Sequence, residues 1–472
     1  MSTWKLAASL AAATGLLAAC GGGGSTSEGA TFDLSGERGS LIATPITLTD
    51  LTPAAFQAAA PASLFQVAGT PKCTVSFKYF QYGTVGGASE KTTASGGIMV
   101  PSGTDPACQG PRPVLLYAHG ATADKNKNMA SPQDGEAALI AAMFAAQGYI
   151  VVSPNYAGYE ASTLSYHPFF VEDQQSKDMI DALTAARASF ASIGANANSK
   201  LFVSGYSQGG YVALATVKAM QAAGMPVTAS APMSGPFNLG ITVDAIFAGN
   251  VNAGASTFVP LFAIAYQKAY GDIYTTPSQM IAPQFATGFE TVLPNTTSTT
   301  ALIAAGRLPQ NDCMFEGASG YGRCASGFLF NTSYRNAVLA DAAANPGNPT
   351  SGATPTAAHP VRRAAYRNSL LNFTLTTPSF FCGGVNDPTV FYSMNTPVAK
   401  NFFAAQGVLP PQALVELNVD SAPSGPSDPF APIKVGFAQA LAAAGASAPA
   451  VYHGPLVSPF CNAGARGFFS AF

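Results

Sequence analysis

Charge is what this chain has least of. Only 10% of its 472 residues are Asp, Glu, Lys or Arg, and the formal net charge is -2. That balance offers no basic footprint for nucleic acid and no strong attraction to an anionic surface, so both roles are set aside. Histidine is scarce as well, with four residues: His119, His167, His359 and His453. No C-x-x-C occurs and no cysteine has a histidine close by in sequence, so the cysteine spacing does not describe a metal site. No internal repeat is visible, and nothing calls for a cofactor.

What the chain does have is apolar bulk: 48% of its residues are hydrophobic, enough to bury a large core. Low charge with many Ala, Gly, Thr and Asn fits an exported protein. The N-terminus points the same way. Lys5 precedes an apolar run from Leu6 to Ala19, which has the length of a signal-peptide core and is too short to span a bilayer. The run ends Leu17-Ala18-Ala19-Cys20, followed by Gly21 to Gly24, and so resembles a bacterial lipobox. That resemblance implies cleavage before Cys20, diacylation of Cys20 and, with glycine after the cysteine, the outer membrane. The alternative is an ordinary signal peptide cut nearby and a secreted product. The expected organisation is a signal peptide over 1–19, a flexible tether over 20–40 and a catalytic domain over 41–472.

Beyond Cys20 the cysteines number six: Cys73, Cys108, Cys313, Cys324, Cys382 and Cys461. An even count in an exported chain suggests three disulfides. Fifteen pairings are possible for six cysteines, and those closest in the inferred fold are Cys73 with Cys108, Cys313 with Cys324, and Cys382 with Cys461.

From Cys73 to Val100 short alternating runs, broken at Gly83 and Gly86-Gly87, predict antiparallel hairpins. After Pro113 the texture changes. Val114 to Tyr117, Tyr149 to Val152 and Leu201 to Val203 are continuous apolar strands, suited to burial on both faces. Between them the pattern predicts a helix opening at Ser131-Pro132 and closed by Gly148, and a second helix from Val171 to Phe190. A third helix follows from Tyr211 and ends before Gly224. This alternation is α/β, a mostly parallel doubly wound sheet whose ligands sit at the carboxyl ends of the strands. Between about 236 and 360 the alternation disappears. That stretch is rich in aromatics such as Phe247, Phe258, Phe262 and Tyr266, and it is too long for a loop, so it reads as an inserted cap. The pattern resumes with strands at Phe380-Cys382 and Leu414-Val419 and helices near 397–406 and 433–444.

The chemistry centres on Gly205-Tyr206-Ser207-Gln208-Gly209. It is a G-x-S-x-G sequence lying between a strand and a helix, a context that puts the Ser207 hydroxyl on a tight exposed turn. Serine needs a base within hydrogen-bond reach, and the base needs an orienting acid. Only His453 follows the last strand and helix, in the order nucleophile, acid, base; His119 is the alternative, although its place at the end of the first apolar strand suits a loop-ordering role better. For the acid, Asp387 follows the strand ending at Cys382, with Asp420 and Asp428 as rivals. The oxyanion donors expected are the backbone N–H groups of Gln208 and Ala121.

These residues together resemble the α/β-hydrolase fold, and more narrowly the secreted lipases and esterases of the secretory-lipase type. The resemblance rests on Tyr117-Ala118-His119-Gly120, Pro154 to Tyr159, His167-Pro168-Phe169, Gly205 to Gly210, Asp387-Pro388 and Tyr452-His453-Gly454. In relatives the loop after the second core strand often reads aspartate, tyrosine, any residue, glycine; here Asn155 stands at the aspartate position. The resemblance implies hydrolysis of carboxylic esters, small-molecule or lipid, through an acyl-enzyme and without a cofactor. Two other readings are a serine peptidase on the same fold, against which the sparse acidic residues of the cap argue, and an inactive ligand-binding surface lipoprotein.

Overall fold

A computed structural model describes residues 37–318, 320–350 and 355–472. The signal peptide, Cys20 and most of the tether therefore lie outside the described residues.

The main sheet has nine strands: β1 (Ile46–Leu51), β2 (Thr74–Val85), β3 (Lys91–Ser102), β4 (Arg112–Ala118), β5 (Ile150–Pro154), β6 (Ala197–Tyr206), β7 (Ala229–Met233), β10 (Ser379–Gly383) and β11 (Leu414–Asn418). The short pair β8 (Phe315–Glu316) and β9 (Arg323–Cys324) stands apart. The spatial order is β1-β2-β3-β5-β4-β6-β7-β10-β11. The first three strands run antiparallel, β3 also meets β5 antiparallel, and every pairing from β5 onward is parallel. Among the described residues sixteen α-helices accompany the strands. Between β1 and β2 lie α1 (Pro53–Ala59) and α2 (Ala62–Ala68); α3 (Gly135–Met143), α4 (Glu172–Ser189) and α5 (Gln208–Ala222) connect the parallel strands. Between β7 and β10 lie α6 (Leu239–Ala248), α7 (Ala255–Tyr270), α8 (Pro277–Met280), α9 (Pro283–Ala286), α10 (Thr299–Ala304), α11 (Thr332–Ala344) and α12 (Pro360–Arg367). The remainder are α13 (Thr396–Ala404), α14 (Ala431–Ala444), α15 (Ala448–Val451) and α16 (Ser458–Phe469).

The unbroken apolar run of β4 follows from burial on both sides. Val114, Leu116 and Ala118 enter the core cluster under α4 and α5, while Leu115 and Tyr117 enter the cluster under α3 and α16. Successive strand side chains alternate faces, so a strand covered on both must be apolar throughout.

Three local expectations are corrected. Gly83 does not break a strand: β2 runs through it, opposite Thr93 of β3. Its free edge is used too, since Gly39 N–H donates to Gly83 O and Gly83 N–H to Ser40 O. The expected tether over 20–40 therefore gives way to docked chain before its end, and Arg38 pairs with Asp181 at 3.0 Å. The helix expected at Ser131-Pro132 starts instead at α3. Asp134 caps it, accepting from Glu136 N and Ala137 N, whereas Ser131 Oγ donates to Gln133. Both residues are good caps, and only one lies where the chain turns toward the sheet. The chain leaves the sheet after Met233 and rejoins it at Ser379, at the strand expected around Phe380-Cys382, and the inserted stretch fills that excursion. Its helix α12 packs on α6, and its aromatics join the cluster on the α4–α5 side.

Cys73–Cys108, Cys313–Cys324 and Cys382–Cys461 are disulfide-bonded.

Candidate active site

Ser207 sits between β6 and α5 with φ 62° and ψ -122°, a conformation rare for a residue with a side chain. The turn is tight because strand and helix nearly touch. A Cβ on Gly205 would run into the Gly209 carbonyl, and one on Gly209 into the Ala118 carbonyl. Glycine at both positions is what lets the serine project above the sheet.

Ser207 Oγ lies 2.7 Å from His453 Nε2. His453 Nδ1 lies 2.6 Å from Asp387 Oδ2. His453 stands on a wide helical turn, Tyr452–Val457, that joins α15 to α16, rather than on an open loop. Tyr206, the neighbour of the serine, donates its hydroxyl to the His453 carbonyl. Asp387 is buried just after β10. Its Oδ1 accepts the N–H groups of Thr389 and Val390 at 2.8 and 3.1 Å, and its Oδ2 accepts the Ser234 hydroxyl at 3.0 Å. Burial alone would raise this carboxyl, but His453 and the two N–H donors outweigh it and hold it below the usual range.

The rival acids are elsewhere. Asp428 accepts Ser424 N, Phe430 N and Lys434 Nζ, stitching the turn into α14. Asp420 accepts the Tyr452 hydroxyl at 2.6 Å and the Asn386 amide at 2.8 Å. It thus braces the residue before His453 and the residue before Asp387 without touching either.

The other histidines are kept from the serine. His167 is buried, with Nδ1 2.9 Å from the Ala157 carbonyl and Nε2 2.6 Å from Gln208 Nε2. The carbonyl can only accept, so Nδ1 carries the proton and Nε2 receives the amide's. Burial pulls this histidine down to about 3. The Gln208 side chain is thereby fixed away from the hydroxyl, and its backbone N–H, at the first position of α5, has no intrahelical acceptor. His119 is buried at the end of β4, its Nδ1 2.7 Å from Gly120 O and its Nε2 3.1 Å from Asn155 O. Burial, with the Lys127 charge adding to it, lowers its pKa below the ordinary value. His359 is half-buried in the insertion, edge-on to Tyr334.

Asn155 at the expected aspartate position works as a bracket. Its Oδ1 accepts Met129 N at 2.7 Å and its Nδ2 donates to Ser95 Oγ at 2.9 Å. An amide satisfies one donor and one acceptor together, which a carboxylate cannot do.

Beside Ser207 opens an apolar pocket of about 80 Å³. Ala121 and Val390 line it from the core, Phe169 and Phe170 from the loop before α4, and Phe247, Phe258 and other apolar residues from the insertion. Sequence reading named Asp420 only as a rival acid and gave no role to Ser234, Tyr206 or Glu136, the last of which holds the Gly120 N–H. The one available signal was position: Tyr206 lies inside the serine motif and Ser234 directly after β7.

A mixed sheet of this order, with a strained serine at the β6–α5 turn, is the α/β-hydrolase fold. The model of the secretory lipase family matches residues 128–258. Among solved structures, the chain is similar to the rice cell wall degrading esterase LipA from Xanthomonas oryzae. Its ligand-bound form is 26% identical with a TM-score of 0.70, over 91% of this chain and 98% of that one. Another structure of LipA gives 27% identity and a TM-score of 0.67, over 89% and 99%. A protein from Legionella pneumophila, 18% identical over 77% and 88% of the two chains with a TM-score of 0.61, shares the fold. No curated protein sequence matches significantly.

Proposed function

We propose that this protein is an exported serine esterase or lipase that cleaves carboxylic esters through an acyl-enzyme. The observation that carries the reading is the unbroken relay from Ser207 Oγ to His453 at 2.7 Å and on to Asp387 at 2.6 Å. Ser207 attacks the ester carbonyl while His453 Nε2 takes its proton. Asp387, held anionic by its backbone donors, keeps the His453 proton on Nδ1 and stabilises the imidazolium. The negative charge that develops on the carbonyl oxygen is met by the Gln208 and Ala121 N–H groups. His453 then returns its proton to the leaving alcohol. Water, activated by the same histidine, releases the acid.

The apolar pocket supports an apolar acyl or aryl group as the part of the substrate held beside Ser207. Similarity to the secretory lipases and to an esterase supports esters over amides. Cys20 supports a lipid anchor in the bacterial outer membrane. Among the described residues no helix is long and apolar enough to cross a membrane, which fits attachment through the anchor.

The test is a panel of p-nitrophenyl esters of increasing chain length, with a peptide anilide beside them. The expected result is turnover of the esters, dependent on chain length, with the anilide refused. Preference for the anilide would convert the reading to a peptidase. A fluorophosphonate probe should label Ser207, and absence of labelling would leave an inactive binding protein.

A further inference from the structure

Beyond Ala118 the chain passes through His119, Gly120 and Ala121, and the last of these carries an N–H that the proposed chemistry uses. Gly120 is the loose joint of that segment. It has no Cβ, and the nearest atom that one would meet, Tyr206 O, is 3.5 Å away. Without a side chain, its own sterics do little to restrain its rotation.

Two hydrogen-bonded tethers restrain it instead, one on each side. The Gly120 N–H donates into the Glu136 carboxylate, 2.9 Å from Oε1 and 3.2 Å from Oε2. The Gly120 carbonyl lies 2.7 Å from His119 Nδ1, closer than the Asn155 carbonyl lies to Nε2 at 3.1 Å, so the one proton of the neutral ring is assigned to Nδ1 and donates to Gly120. That carbonyl shares a planar trans peptide with the Ala121 N–H, which must point the opposite way. Pinning the peptide before Gly120 and the peptide after it fixes the direction of the Ala121 N–H. Glu136 is itself held: Lys127 Nζ bridges it at 3.1 Å and Asp134 at 2.9 Å, and the Tyr117 hydroxyl donates to it at 3.1 Å. Lys127 is only 8% exposed. A buried ammonium with two carboxylates is costly to assemble unless every member is satisfied, and here the fourth partner is the joint of the oxyanion segment.

We propose that Glu136 is a positioning residue for the oxyanion site: it touches no reacting atom and acts by holding Gly120, so that the Ala121 N–H is aimed before substrate arrives. The inference rests on the proposed hydrolase reading. The competing role is purely electrostatic, Glu136 serving only to neutralise buried Lys127.

Two substitutions separate reach from charge. Glu136→Gln keeps the length and one acceptor oxygen but loses the charge. Glu136→Asp keeps the charge beside Lys127 but falls one methylene short of Gly120. Positioning predicts that Glu136→Asp lowers kcat by about 10- to 100-fold with KM little changed, because an oxyanion donor acts on the transition state more than on bound ester. Inhibition by an alkyl trifluoromethyl ketone, whose adduct places an oxyanion in the same site, should weaken by a similar factor. Glu136→Gln keeps one oxygen for Gly120 but turns its amide N–H toward Lys127 or Gly120, so it should lower Tm while weakening the inhibition less than Glu136→Asp does. The opposite ranking, or an unmoved inhibition constant in Glu136→Asp, would overturn the proposal. Failure of the parent protein to take a fluorophosphonate on Ser207 would instead overturn the hydrolase reading beneath it.

Discussion

At Ser207 and Asp387 two single-atom changes have opposite logic. Ser207→Ala removes the nucleophile, whose contact on this side is His453, so activity should fall on the order of 10^5-fold with folding intact. Substantial turnover by that variant would reject the nucleophile. Asp387→Asn keeps the shape but turns an obligate acceptor into a group that can present N–H to His453 Nδ1. The imidazole then takes the other tautomer, with its proton facing Ser207, and kcat should drop by about 10^3-fold or more. Asp428→Asn should leave kcat largely unchanged, since that carboxylate stitches a turn 2.8 Å from Lys434. Comparing the two variants on one ester checks the assignment, and a reversed ranking would move the acid to the later loop.

His167 gives a prediction in pH. Its folded pKa is pulled down to about 3 from an ordinary 6.5. Between those values the unfolded chain binds a proton that the folded chain refuses. The stability contribution is therefore negative below 6.5 and grows as pH falls toward 3, by up to ~1.4 kcal/mol per pH unit for one proton. Denaturant unfolding at pH 7, 6 and 5 should show a shallower loss in His167→Gln than in the parent. Equal slopes would mean that another group carries the acid sensitivity.

At the scale of elements, the Cys382–Cys461 bridge joins β10, which ends just before Asp387, to α16, which follows the His453 turn. Its Cα atoms are 5.6 Å apart and both cysteines are fully buried. The elements that carry Asp387 and His453 are thus joined covalently as well as through the contact between those two side chains. Replacing both cysteines by alanine should cost about 2–5 kcal/mol of stability, and should also lower kcat at a temperature where the variant remains folded. An unchanged kcat with a lowered Tm would reduce the bridge to a stabilising link. Elements were legible where the pattern is strong and short-range. The apolar runs at β4 and β5, and α4 with Glu172 and Asp173 in its first turn, lie within a residue or two of where the chain pattern puts them. Boundaries failed where two local solutions were equally good. Ser131 and Asp134 both cap well, and Gly83 looks like a break until its second hydrogen-bonding edge is seen to be filled by Gly39 and Ser40.

For the whole molecule, Arg38 is docked on the domain through its ion pair with Asp181, and Cys20 lies outside the described residues. If Cys20 carries lipid, replacing it should release a soluble and fully active enzyme, because every group of the proposed site belongs to the folded domain. Fractionation of cells with activity assays on each fraction tests this, and mass spectrometry of the mature N-terminus decides it: an end other than an acylated Cys20 would refute the anchor.

The sequence by itself determined the alternation of strand and helix, the tight serine turn and the one histidine late enough to face it. All of these depend on neighbours a few residues apart, or on chain order. Only the tertiary structure shows which of Asp387, Asp420 and Asp428 meets His453, because each of them follows a strand end. What separates them is which one meets His453, a contact 66 residues long in sequence for Asp387. The same holds for Glu136. Nothing around it in the chain marks it, and its connection to Gly120 exists only because α3 packs back against the end of β4. Propensity and periodicity act through local sterics and solvent, whereas a site is built from the long-range contacts that packing makes possible.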